Sequence, residues 1–198
     1  MNRNNFIKKA CGIGIGSCVG FRLLSKGDLY AAAHDNQTES ITPVVPVDTR
    51  QVQNVLSFVE NSMSENVKKD IFERLGYEHT TDPGFINWID GYKKNLKSFF
   101  DRVNSGEDRY WESMEYDPEK SAVKIVGKPV DKCACPYAQC PNPPESLCHY
   151  CCKNFQVAMF EMLFDKQVEV RIDEAFLLGD KRCSTTIFVD GKLQIDKI

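Results

Sequence analysis

Apolar residues at positions 52, 55, 56 and 59 recur at helical spacing and predict a first helix from about residue 51. Val67–Leu75 fits a second, with Ser64 as its N-cap and Gly76 as its stop. A third is expected to start at Asp82 and Pro83. It carries Phe85, Ile86, Ile89, Tyr92, Leu96, Phe99, Phe100 and Val103 along one broad face. That face reads as core, with Trp88 and Tyr92 as candidates to line a ligand pocket.

The pattern changes after Gly106. Tyr110–Tyr116 and Ser121–Gly127 flank Asp117-Pro118-Glu119-Lys120, which predicts a hairpin. Phe155, Ala158, Met159, Met162 and Leu163 mark a helix over roughly Cys151–Asp165. Val168–Ala175 and Cys183–Val189 then alternate as strands, with turns at Gly179-Asp180 and Asp190-Gly191. Helices followed by strand-strand-helix-strand-strand give an α+β fold with an antiparallel sheet. A helical region at 51–106 and an α+β cysteine-containing region at 107–198 are expected to form one domain.

The first 33 residues follow another rule. Met1–Lys9 carries Arg3, Lys8 and Lys9 and no acid, and Ala10–Leu24 is small and apolar but for Arg22. Ala31-Ala32-Ala33 precedes a polar stretch, so residues 1–33 read as a secretory signal cleaved after Ala33. Ile15-Gly16-Ser17-Cys18 supplies the alternative, a lipoprotein box with Cys18 as the lipidated residue. Residues 34–50, with Pro43 and Pro46, read as a linker. A periplasmic or envelope location is expected.

Charge narrows the partners. The whole chain carries 25 basic and 28 acidic residues. Without residues 1–33 it would carry 20 and 27, a net of −7. That balance disfavours nucleic acid and anionic membrane surfaces as partners. No apolar run approaches the ~18 residues of a transmembrane span.

Six cysteines fall within twenty residues: Cys133, Cys135, Cys140, Cys148, Cys151 and Cys152; Cys183 opens the last strand. Three chemistries are open to them. Cys133-x-Cys135 and Cys148-x-x-Cys151 turn sulfurs toward a common point and can bite one ion, zinc or an iron–sulfur cluster. Prolines 136, 141, 143 and 144 lower the cost of ordering that loop. Disulfides suit an exported chain, although seven is odd and Cys151-Cys152 cannot easily pair with each other. A reactive thiol is the third, with His149 beside Cys148 as its base.

Cys148-His149-Tyr150-Cys151, a helix, Val168-Glu169-Val170-Arg171 and Phe176–Ile187 resemble the four-vinyl-reductase-type domain. The related 2-amino-thiazoline-4-carboxylic acid hydrolase-like proteins share the pattern, in which a Gly-Asp/Glu-x-x-Cys turn follows a Glu-containing strand. Gly179, Asp180 and Cys183 match that turn, and Cys148 or Cys151 matches the cysteine before the helix. The resemblance covers about residues 130–190. It implies a small-molecule-binding α+β domain, in some members metal-linked. His149, Cys183, Trp88 and Tyr92 are the pocket candidates along the chain.

The expectation is therefore an exported small-molecule-binding or sensing protein with a cysteine-ligated metal or iron–sulfur site. The alternatives are a hydrolase of a small heterocyclic or amide substrate and a disulfide-stapled envelope protein without catalysis.

Overall fold

The computed structural model describes residues 49–195, so the signal reading of 1–33, Cys18 and most of the 34–50 linker lie outside the described residues. Residues 49–195 belong to one compact unit. Among the described residues it is α+β, with five α-helices and a four-stranded antiparallel sheet.

Four helices come first: α1 (Thr49–Ser62), α2 (Glu65–Glu78), α3 (Pro83–Lys93) and α4 (Leu96–Asn104). Leu56 and Val59 bury the inner face of α1, while Val55 and Phe58 of the same helix are exposed. Ser64 takes the N-cap position of α2, but its hydroxyl accepts no capping bond. Asp82 caps α3 as expected: its carboxylate accepts from the Gly84 N–H at 2.8 Å and the Phe85 N–H at 3.2 Å, with Pro83 at the first position.

Two helix boundaries differ from the pattern. The long third helix breaks at Asn95, whose side chain accepts from the Ser98 N–H and starts α4 afresh. The apolar stripe runs on through the break because both helices bury the same kind of face: Phe85 and Ile89 in α3, Phe99, Phe100 and Val103 in α4. Gly76 is no stop: α2 continues to Glu78, and Gly76 is buried inside it. Its role is contact, described below.

The sheet has the order β1-β2-β4-β3, from β1 (Trp111–Asp117), β2 (Ala122–Gly127), β3 (Val168–Glu174) and β4 (Ser184–Val189). The β1–β2 hairpin closes with Asp117 opposite Ala122, and the Asp117 carboxylate accepts from the Glu119 and Lys120 N–H groups. β2 and β4 form the middle of the sheet, and β3 pairs along the other side of β4. Helix α5 (Lys153–Phe164) joins the two hairpin-like halves. It packs on β3, α2 and α3, burying Met159, Phe160, Leu163 and Phe164.

α4 is fastened to β1 by one side chain. Asn104 donates to the Met114 carbonyl at 2.9 Å and accepts from the Met114 N–H at 2.8 Å. Among the described residues no helix is long and apolar enough to cross a membrane.

Candidate functional site

The cysteines converge where the 133–140 loop meets the turn before α5. The loop is held by its own backbone. Gln139 donates to the Cys133 and Cys135 carbonyls, and Pro136–Gln139 forms a short 3-10 turn. Cys140 donates to the Tyr137 carbonyl at 3.3 Å and sits in a buried cluster with Leu56, Val59, Phe72 and Leu147.

Leu147–Cys152 is a π-helix, wider by about one residue per turn than an α-helix. This wider turn carries Cys148, Cys151 and Cys152, the last two of which come against Cys135 of the loop. Two links tie this segment to α2. The Tyr150 hydroxyl donates to the Glu65 carboxylate at 2.5 Å, and Asn154 donates to the Glu73 carbonyl at 2.7 Å. Between them the backbones touch: a Cβ at Gly76 would stand 2.1 Å from the Cys151 carbonyl oxygen and 2.9 Å from the Phe155 nitrogen. Only a glycine allows that approach.

Four thiols form a chain of contacts. Cys135 hydrogen-bonds with both Cys151 and Cys152, and Cys152 bonds in turn with Cys148. As acceptor of two such bonds, the Cys135 thiol is held well below its usual range. Cys151 and Cys152 are pushed up by bonding to Cys135 and by burial. Cys148 is lowered, first by its bond with Cys152.

Backbone N–H groups stand near five of the sulfurs. Cys133 lies beside the Cys135 N–H, Cys135 beside that of Tyr137, Cys140 beside its own, Cys148 beside that of Leu177, and Cys183 accepts from Phe176. The last of these spans 3.5 Å. Burial nonetheless raises Cys133, to about 12, and also Cys183. All seven described cysteines are free thiols.

Cys183, a pocket candidate from the sequence, is exposed and lies within electrostatic reach of Cys135 and Cys148. Its neighbourhood is built by the turn after β3. Gly179 takes φ +99°, Asp180 accepts the Ala175 N–H at 2.8 Å, and the Cys183 carbonyl accepts the Gly127 N–H at 2.7 Å. His79 carries no motif in the sequence and is given no role there. It follows α2, stacks 4.9 Å from Tyr137 and 5.9 Å from Phe155, and lies within electrostatic reach of Cys135. No short motif marks it, because its neighbours are distant in sequence.

The other pocket candidates are elsewhere. Trp88 and Tyr92 pack with each other and with Phe99, at ring separations of 5.2–5.8 Å. Arg102 closes that group, donating to the Tyr92 hydroxyl at 3.1 Å. His149 is exposed and lines an open groove of about 510 Å³ with Tyr150, Lys153, Glu169, Arg171 and Phe188. It faces that groove as part of the π-helix whose other side carries the thiols.

Chemically the site is a soft donor set. Four thiols in sequence contact, with backbone donors near five sulfurs, suit a thiophilic ion or sulfur–sulfur bonding. Among the described residues no three His, Cys, Asp or Glu side chains already stand together in ion-holding positions.

The fold and site define an α+β domain with a cysteine junction. No family model matches the chain, and no curated protein matches it. Among solved structures it is similar to subunit 3 of a trafficking protein particle complex from Naegleria fowleri, covalently bound to palmitic acid. Identity is 13%, with 74% of this chain and 95% of that one covered, at a TM-score of 0.45.

Proposed function

We propose that the protein is an exported small-molecule-binding or sensing domain centred on a cysteine-ligated soft metal. The observation that carries this is the set of sulfurs beside the backbone N–H groups of other residues: Cys133, Cys135, Cys148 and Cys183, whereas Cys140 has only its own N–H. Such bonds favour the thiolate, the form in which cysteine ligates metals. These four residues, drawn from the loop, the π-helix and the start of β4, would hold the ion. Cys151 and Cys152 would support Cys135 as hydrogen-bond partners. Binding has to bring the sulfurs closer than they stand in the metal-free arrangement.

A bound zinc would supply fixed charge and cross-linking between three chain segments; an iron–sulfur cluster would add electron transfer. The groove beside His149 is the place for a small ligand within reach of that junction. The turn at Gly179 and Asp180 supports the four-vinyl-reductase-type resemblance, and residues 1–33 carry the export part of the reading.

The test is metal analysis with thiol counting on the full chain purified without oxygen. About one equivalent of zinc, or iron with acid-labile sulfide, is expected, and Cys183→Ser should lower it. A chain that binds neither metal on reconstitution overturns the reading.

A further inference from the structure

We infer that the groove between the π-helix and the edge of β3 takes a small zwitterion, amino-acid-like, with an apolar or aromatic side group. This rests on the small-molecule half of the reading above and names the ligand class for that groove. The groove has a volume of about 510 Å³ and two walls. His149, Tyr150 and Lys153 form one, from the π-helix and the start of α5. The other is β3, which lends Glu169, Val170, Arg171 and Ile172 in succession. Successive residues of a strand face opposite sides, so four in a row border one groove only along a strand's edge. β3 is the last strand of the sheet, with β4 on its other side.

Arg171 is the fixed group in this groove. Its Nε donates to the Asp173 carboxylate at 2.7 Å and one terminal nitrogen donates to the Thr186 hydroxyl at 3.3 Å. The guanidinium carbon lies 5.4 Å from the centre of the Phe188 ring, and Thr186 donates to Asp173 at 2.6 Å. A guanidinium held in this way keeps its remaining N–H donors for a ligand oxygen, at little further cost in ordering. Lys153 and Glu169 are the free charges. Both are exposed, and among the described residues neither side chain has a hydrogen bond or an ion pair.

The balance of charge selects the ligand. Lys153 and Arg171 are cations; Glu169 in the groove and Asp173 against Arg171 are their equal in acids. A site for phosphate or a dianion carries an excess of cations, and a site for a polyamine an excess of acids. Here the signs balance while Lys153 and Glu169 stay unpaired, which is complementary to a molecule that carries both charges at once. Lys153 and the free Arg171 donors meet a ligand carboxylate, and Glu169 meets its ammonium. Phe188 and Ile172 supply apolar surface for the side group. The Tyr150 hydroxyl is engaged by Glu65 and holds the helix wall instead.

Isothermal titration calorimetry on the full chain tests this with L-phenylalanine and L-leucine. Each is compared with its N-acetyl form, which lacks the ammonium, and its amide, which lacks the carboxylate. One or both amino acids should bind with a Kd of about 1 mM or tighter, and loss of either charge should weaken binding about tenfold. Lys153→Gln should weaken the amino acid about fivefold to tenfold; Glu169→Gln should do the same while leaving the N-acetyl form unchanged. Both side chains are exposed, so neither substitution threatens folding. No binding of either amino acid overturns the inference, as does binding that ignores both substitutions. An N-acetyl form or amide that binds as tightly as its parent also overturns it, and leaves the groove as a site for a simple anion or cation. Metal content of the same preparations tests the cysteine reading separately. A metal-loaded chain that binds neither amino acid keeps that reading and loses this inference; a chain that takes up no metal yet binds one does the reverse.

Discussion

Gly76 and Cys151 meet backbone to backbone: a Cβ on the glycine would stand 2.1 Å from the cysteine's carbonyl oxygen. Neither partner can yield easily, since both atoms belong to helices. Gly76→Ala should therefore cost about 3 kcal/mol or more in urea unfolding, through forced separation of α2 from the π-helix. Gly91→Ala is the matched control. Gly91 is exposed inside α3 with nothing within 4 Å of a Cβ, so alanine there should gain about 0.5–1 kcal/mol. Equal effects at the two sites would contradict the close approach.

Asp108 is buried, and its carboxylate accepts the Tyr110 N–H at 2.8 Å and the Trp111 N–H at 2.9 Å, with Arg102 3.7 Å away. Asp108→Ala leaves two donors unpaired at the entry to β1 and should cost about 1–3 kcal/mol. Asp108→Asn keeps an acceptor oxygen and should recover part of the loss. Denaturant midpoints of the three proteins decide it; an unaltered midpoint for Asp108→Ala would mean that water takes over both bonds.

Burial holds the His79 imidazole below its ordinary value of 6.5, with charge at Cys135 pulling the other way. As pH falls through 6.5 the unfolded chain takes up the proton first, so the folded state loses stability from there down toward its own lower pKa. Urea midpoints should drop between pH 7.5 and 5, and the drop should be smaller in His79→Phe, which keeps a ring against Tyr137 and Phe155. A drop of equal size in the variant would assign the pH dependence to other groups.

Asn104 bridges α4 to both backbone atoms of Met114, which is buried at 1% exposure. Asn104→Ala should cost about 1–3 kcal/mol, and Asn104→Asp, which can accept but not donate, should retain only part of the bridge. Hydrogen exchange at the Met114 amide reads the accepting half directly: protection should fall in the alanine variant and persist in the aspartate.

Much of this architecture is written in local pattern. Asp82-Pro83 announces a helix start, and the alternation in Val168–Val189 announces two strands, because each signal acts within a few residues. The helix break at Asn95 was hidden by the continuous apolar stripe from Phe85 to Val103, which fits one helix or two. Gly76 misled for the opposite reason. A glycine near a helix end usually stops it, and only the arrival of Cys151 from 75 residues further on explains its place inside. Clustering of cysteines in sequence foretold that they would converge, but it could not show that His79 comes within reach of Cys135, or that Trp88 and Tyr92 pack against Phe99.

The π-helix at Leu147–Cys152 also sets a phase. Downstream, α5 must keep Met159, Phe160 and Leu163 turned inward. Upstream, three cysteines must face a loop that approaches from another side. A single extra residue in the turn offsets one register from the other, like a coupling fitted between two shafts. Deleting that residue would restore ordinary helical winding and rotate the thiols off the loop while leaving the aromatic packing of α5 in place. The chain can thus retune or lose its sulfur chemistry by one-residue changes in length, without redesigning the fold that carries it.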